Sequence, residues 1–190
     1  MKLGADIGAS RGIGHDFAMR YKDGYHAEEG FMTGMTSPKI EAPTARHLGQ
    51  GDLPFVTFFE GLDFQLLQAS VEHGLWVVRT HFKPGVTIST HRHTGEVFAV
   101  TFSGSWRYLE YPDVNTAGSY LFEPAGSQHT LHVPESNTGI TDVWFAIRGA
   151  NLNLDDRGNV ASVWDATFMI ETYLDLCAKA GHGRPPVIGL

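Results

Sequence analysis

From Leu53 onward the chain breaks into short runs of apolar and β-branched residues, each closed by a turn signal. Phe55–Phe59 ends at Glu60-Gly61, Phe64–Ala69 ends near His73-Gly74, and Leu75–Phe82 runs to Pro84-Gly85. Val86–His93, Glu96–Phe102, Trp106–Tyr111, Ser119–Glu123, His129–Val133 and Ile140–Arg148 continue the series. Many strands at short spacing with turn residues between them predict an all-β, antiparallel sandwich or barrel. Chemistry in such a fold sits inside, because small barrels hold ligand cavities in their mouths.

The pattern changes at both ends. Asn151 to Val163 reads as a further hairpin, with Asp155-Asp156-Arg157-Gly158-Asn159 as its turn. Asp165 is a suitable N-cap for a helix over Ala166–Lys179. On that helix Phe168, Tyr173, Leu174 and Cys177 recur at helical spacing, so one side must pack on something, and Gly181 ends it. Upstream, residues 24–53 are punctuated by Thr33-Gly34, Ser37-Pro38 and Ala42-Pro43 and read as an irregular arm. The expected organisation is an irregular extension over 1–52, a barrel over 53–150, and a C-terminal hairpin and helix over 151–190 packed on it.

Near the start, Gly8-Ala9-Ser10-Arg11-Gly12-Ile13-Gly14 has the look of a dinucleotide-binding turn, which would cradle a pyrophosphate at a helix N-terminus. That use needs a buried strand before the turn and repeated βα units after it. Met1–Ile7 is too short and polar for such a strand, and no second unit follows, so a nicotinamide site is not expected.

Composition narrows the classes. The 190 residues, 42% hydrophobic and 18% charged, are those of an ordinary globular protein, and one barrel domain is the natural size. The net charge is -7, with no basic run, so nucleic acid is not an expected partner. No window approaches the roughly twenty apolar residues of a membrane helix, and the first residues lack an apolar core of signal-peptide length. A single cysteine, Cys177, rules out an intrachain disulfide and reads as a buried structural thiol. Cytoplasmic residence is the default expectation. The ten histidines matter more, since histidine is the commonest metal ligand.

Two of them, His91 and His93, lie two apart in a predicted strand, where alternate side chains share a face. Two converging imidazoles suit a divalent metal. Alone, the pair could equally be an exposed polar strand end. It is not alone: Gly118-Ser119-Tyr120-Leu121-Phe122-Glu123-Pro124-Ala125-Gly126-Ser127-Gln128-His129 follows downstream. Together these stretches resemble the two motifs of the cupin superfamily, G-x5-H-x-H-x3,4-E-x6-G and G-x5-P-x-G-x2-H-x3-N. Gly85, His91, His93 and Gly104 match the first motif. Gly118, Pro124, Gly126 and His129 match the second. Val97 stands where the first motif carries its glutamate, Val133 stands at the asparagine position, and Glu96 is one place early.

The runs HRHTGEVFAVTFSGSWRYLEYPD and AGSYLFEPAGSQHTL are further similar to the 2,4'-dihydroxyacetophenone dioxygenase group of cupins, a resemblance spanning roughly Phe55 to Ala180. It implies an antiparallel cupin barrel, or jelly roll, and iron(II) held by three histidines and one glutamate of a W-x-Y-x-E strand. Those positions here are His91, His93, Glu110 and His129, with Glu96 the fallback carboxylate. The implied reaction is cleavage of a carbon–carbon bond of a small hydroxyketone or diketone by dioxygen, with no catalytic residue beyond the ligands. Cupins also commonly associate, so a homo-oligomer is the family-level expectation. Trp106 and Tyr108 share the predicted face of Glu110 and are candidates for an aromatic pocket wall; core filling is the alternative. His81, His132 and Arg92 read as ordinary strand or surface residues.

Residue types alone leave zinc and other divalent ions open beside iron. The competing readings are a non-enzymatic metal-binding cupin serving as sensor or ligand-binding module, an isomerase or decarboxylase on the same barrel, and an acetylacetone-cleaving type with a three-histidine site.

Overall fold

The structure, a computed structural model, describes residues 42–190. The glycine-rich segment Gly8–Gly14 and most of the expected N-terminal extension lie outside the described residues.

Alternating apolar positions build twelve strands, and a single α-helix follows them. The strands are β1 (Val56–Phe59), β2 (Leu62–Ser70), β3 (Leu75–Phe82), β4 (Thr87–His93), β5 (Val97–Ser103), β6 (Ser105–Tyr108), β7 (Val114–Thr116), β8 (Tyr120–Glu123), β9 (Gln128–His132), β10 (Thr141–Arg148), β11 (Asn151–Leu154) and β12 (Val160–Trp164). They form two six-stranded sheets, β1-β2-β3-β10-β5-β8 and β12-β11-β4-β9-β6-β7. Every pairing between these strands is antiparallel. This is the expected all-β, cupin-like architecture with a C-terminal helix. The inner face of the first sheet contributes Phe64, Leu66, Val78, Val97, Val143 and Phe145 to the core. β10 runs through the middle of that sheet, paired to β3 along its full length and to β5 on its other side.

The helix α1 (Ala166–Lys179) has the predicted bounds. The Asp165 carboxylate accepts a hydrogen bond from the Phe168 N–H at 2.8 Å, satisfying one of the amides a helix start leaves free. Its buried side is Ala166, Met169, Tyr173 and Cys177, spaced three to four apart. Tyr173 packs against Phe64 and donates its hydroxyl to the Pro54 carbonyl at 2.8 Å, which pins the helix to β1 and β2. Cys177 is buried and free, as its surroundings led us to expect. No helix among the described residues is long and apolar enough to cross a membrane.

One boundary differs from the pattern in a way that matters. β6 stops at Tyr108 instead of continuing to Tyr111. The Leu109 N–H still reaches the Thr130 carbonyl, but the Tyr111 N–H folds back onto the Tyr108 carbonyl in a turn. Pro112 follows and has no N–H with which to resume a ladder. Residues beyond Tyr108 therefore leave the strand's alternation. The three-residue β7 was too short to leave a pattern in the sequence.

Candidate metal centre

β4 alternates exposed and buried positions, and the alternation puts His91 and His93 on the inner face while Arg92 points out to Gln128. His129 of β9 stands directly across the ladder from His91. Cross-strand partners share a face, so all three imidazoles project into one end of the barrel. They are 5%, 3% and 1% exposed. One nitrogen from each lies within 4.8 Å of the others.

The chain from Pro124 to Ser127 fixes this arrangement. The Gly126 N–H donates to the His93 carbonyl at 2.8 Å, and the His93 N–H donates to the Ser127 carbonyl at 3.0 Å. Gly126 has φ +89, a conformation open to glycine and strained for other residues. This stitched turn carries the chain from β8 in one sheet to β9 in the other. It thereby brings Glu123, the last residue of β8, beside His129.

Glu123 is 3% exposed, and its Oε2 lies 3.1 Å from His93 Nε2 and 3.0 Å from His129 Nε2. The two Nε2 atoms are themselves 3.1 Å apart. Three donor atoms mutually about 3 Å apart have the spacing of neighbouring ligands around one ion, since bonds of ~2.1 Å at right angles set their ends about 3 Å apart. The Tyr108 hydroxyl donates to Glu123 Oε1, and the Tyr108 ring stacks on His129 at 3.6 Å. Both partners of the pair thus have their orientation fixed.

Electrostatics point the same way. Burial lowers the His91 pKa to about 4, more than the Ser89 carbonyl restores, and its histidine neighbours lower it further. At neutral pH His91 is uncharged. Its Nδ1 lies 2.8 Å from the Ser89 carbonyl, which can only accept, so Nδ1 carries the proton and Nε2 the lone pair. That is the tautomer a metal-binding histidine needs, held by a backbone acceptor as such ligands usually are. Burial pulls the Glu123 carboxyl upward, but hydrogen bonds and charge from His129 and His93 outweigh it and hold it below the usual carboxylate range. The Tyr108 phenol is raised well above its ordinary value, by burial first and then by the Glu123 charge, so it stays protonated and donating. A neutral His91, two further imidazoles and one ionised carboxylate in a buried cluster fit a first-row divalent ion.

Comparison with known proteins agrees with this geometry. The sequence profile of a family described as the ChrR cupin-like domain matches residues 44–143, over half of the chain. The chain belongs to this cupin family. A cupin-fold protein of unknown function from Ralstonia eutropha JMP134 is 32% identical, with 78% of this chain and 96% of that one covered and a TM-score of 0.72. An RmlC-like cupin from the same organism is 25% identical, with 76% and 94% covered and a TM-score of 0.72. An acetylacetone dioxygenase from Acinetobacter johnsonii is 20% identical, with 76% and 99% covered and a TM-score of 0.62, a likeness of fold. No curated protein matches the chain.

In this cupin the carboxylate expected at Glu110 is elsewhere. Glu110 is exposed, in the turn after β6, where its oxygens accept from the Thr130 N–H at 2.9 Å and the Thr130 hydroxyl at 2.8 Å. The early end of β6 removes it from the inward face of Trp106 and Tyr108. Glu96 is also exposed. The residue the sequence reading missed is Glu123, and a signal for it existed. Val97 occupies the motif's glutamate position on β5, and its ladder partner on β8 is Glu123. Glu123 thus stands one strand over from the motif position, on the same face of the sheet.

Under the histidines lies a cavity of about 80 Å³. One water needs ~10–15 Å³ on this measure, so the space suits a small organic molecule. Its walls are mainly carbon, among them Phe64, Val78, Leu131, Phe145 and Trp164, with His91, His93, Glu123 and Tyr108 at the polar end. Tyr108 is therefore part of the cavity wall. Trp106 is not among the lining residues; it is fully buried behind Tyr108, donating its indole N–H to the Thr101 hydroxyl at 2.9 Å. His132 bonds the Thr87 hydroxyl and His81 stacks on Phe55, both away from the cluster.

Proposed function

We propose that this cupin is a metal-dependent dioxygenase that cleaves a carbon–carbon bond of a small hydroxyketone or diketone. The observation that carries the reading is the cluster of His91, His93, His129 and Glu123 at the polar end of an otherwise apolar, small-molecule-sized cavity. The fold it shares with an acetylacetone dioxygenase supports it. The three histidines would hold the ion, with Glu123 as the adjoining carboxylate; iron(II) is the metal proposed. Bound there, iron supplies Lewis acidity toward the ketone oxygen and the redox chemistry that admits dioxygen.

The protein's own contributions follow from its residues. His91 is kept neutral and aimed by Ser89. Glu123, held ionised by its neighbours, offsets the ion's charge where water cannot. Tyr108 holds Glu123 Oε1, leaving Oε2 facing the histidines. The apolar walls exclude water and seat the carbon skeleton. For a hydroxyketone R–CO–CH2OH the balance is one dioxygen consumed and one carboxylic acid plus formic acid formed, with no external reductant.

A three-histidine variant of the same reaction is favoured by one observation, the position of Glu110 outside the barrel. Oxygen uptake by anaerobically purified, iron(II)-loaded protein on adding 2-hydroxyacetophenone or acetylacetone tests the proposal. Stoichiometric acid production is the expected result. No uptake with either ketone, together with full zinc occupancy in the purified protein, would leave the non-enzymatic metal-binding reading instead.

A further inference from the structure

Most polar groups facing the cavity are engaged. The Thr80 hydroxyl donates to the Val143 carbonyl at 3.0 Å, and the Tyr108 hydroxyl donates to Glu123. Asn151 is different. It opens β11, where the ladder sets it directly opposite His93, so both side chains share the inner face. It lines the same cavity. The residue is 7% exposed, and its Oδ1 is buried with no hydrogen-bond partner among the described residues. A buried amide oxygen without a donor is uncommon in a folded protein and needs a physical reason. His93 Nδ1, on the same ladder rung, is the other buried atom without a partner among the described residues; Asn151 also lines the cavity, where a donor on the molecule that enters would satisfy Oδ1.

We infer that Asn151 is a specificity-determining residue of this cavity, whose Oδ1 accepts a hydrogen bond from the substrate hydroxyl next to the carbonyl. The inference rests on reading the cavity as a substrate site, and it selects among the substrates proposed for it. A 2-hydroxyketone brings the O–H that Oδ1 lacks. A 1,3-diketone bound as its enolate brings only acceptor oxygens, which would leave Oδ1 unpaired and facing like charge. Sites built to pair with a hydroxyl discriminate strongly against analogues without one, because the buried partner is then stranded.

The test reads binding without turnover. The full-length protein is loaded with zinc(II), which is redox-inert, and titrated by calorimetry with 2-hydroxyacetophenone and with acetophenone. The expected result is a preference for the hydroxyketone that falls by about tenfold in Asn151→Leu, the size of one lost hydrogen bond. Asn151→Asp, which keeps an acceptor, retains the preference. Asn151→Ala must reproduce the loss, which covers a Leu variant that fails to fold. An unchanged ratio in both Leu and Ala variants overturns the assignment. So does an equal fall in affinity for both ligands, which would mean Asn151 acts by orienting His93. Wild-type protein that binds neither ligand overturns it too. Oxygen uptake on the iron(II) form is measured alongside. A shifted ratio without uptake removes the dioxygenase reading and keeps Asn151, whereas uptake with an unshifted ratio does the reverse.

Discussion

The two sheets facing each other across the barrel have opposite inner surfaces. The wall carrying β2, β3 and β10 presents mainly Phe64, Leu66, Val78 and Phe145, with the Thr80 hydroxyl satisfied by the Val143 carbonyl. The wall carrying β4, β9 and β11 presents three histidines and two asparagines, all buried. The first wall is stable by exclusion of water. The second is stable only if its polar atoms find partners, because an unpaired buried polar group is costly. Their partners are Glu123 of β8 for His93 and His129, the Ser89 carbonyl for His91 and the Ser162 hydroxyl for Asn153. Among the described residues two such atoms have no partner, His93 Nδ1 and Asn151 Oδ1, and they belong to opposing residues of one ladder rung. The contrast separates a wall whose task is packing from one whose task is recognition.

Substitutions on the two walls should therefore fail in different ways. The largest effect is expected from His129→Ala, which should abolish stoichiometric metal binding, read as ions per chain after anaerobic loading, and with it any oxygen uptake. Leu66→Ala on the opposite wall should cost about 2–5 kcal/mol in denaturant unfolding yet leave the metal content unchanged. Metal loss in the Leu66 variant under folding conditions would erase the distinction between the walls.

The next effect separates the two glutamates. Glu123→Gln should weaken metal affinity by about 10–100-fold, the usual range for groups that support or complete a metal site, in competition against a chelator. Glu110→Gln should change it by less than about twofold, since that carboxylate touches Thr130 instead. The opposite ranking would restore Glu110 as the carboxylate of the site.

A pH titration of metal-free protein gives a third effect. His91 has its pKa lowered to about 4, against an ordinary 6.5. Between these values an unfolded chain binds a proton at this residue that the folded chain does not, so stability rises with pH and is lost as pH falls from 6.5 toward 4. Integrated over that interval the loss is on the order of 3 kcal/mol. Glu123, whose pKa is depressed, adds a loss of the same sign at lower pH, below the ordinary carboxylate value. A stability that is flat from pH 7 to 5 in the apo protein would contradict the buried, neutral His91.

The smallest effect belongs to Tyr108→Phe. It keeps the ring that stacks on His129 and removes only the hydroxyl on Glu123. A stability loss of about 1–3 kcal/mol is expected, because Glu123 loses a buried donor.

The elements that carry the site were legible where local rules act alone. The helix bounds followed from Asp165 and the apolar spacing after it, and β3 followed from the mainly apolar and β-branched run Leu75–Phe82 closed by Pro84-Gly85. His91 and His93 followed from strand alternation, and His129 from the resemblance of Gly118, Pro124, Gly126 and His129 to the second cupin motif. Gly104 of the first motif takes φ +73 and sits so close to Thr141 that a Cβ would collide with it. The carboxylate was not legible in the same way. Placing Glu110 inward assumed that β6 continues for three residues past Tyr108, and a turn there depends on the Thr130 contacts of a different strand. Placing Glu123 required knowing that β8 pairs with β5 in the register that sets it across from Val97. Cross-strand register is a tertiary fact, and alternation within one strand does not contain it.

The central claim is that His91, His93 and His129 grip a single divalent ion. X-ray absorption at the iron edge, on anaerobically loaded protein, tests it most directly. One iron per chain is expected, with imidazole scattering from about three ligands at ~2.1 Å, reduced in His93→Ala. Iron bound without imidazole scattering, or a spectrum unchanged in that variant, would contradict it.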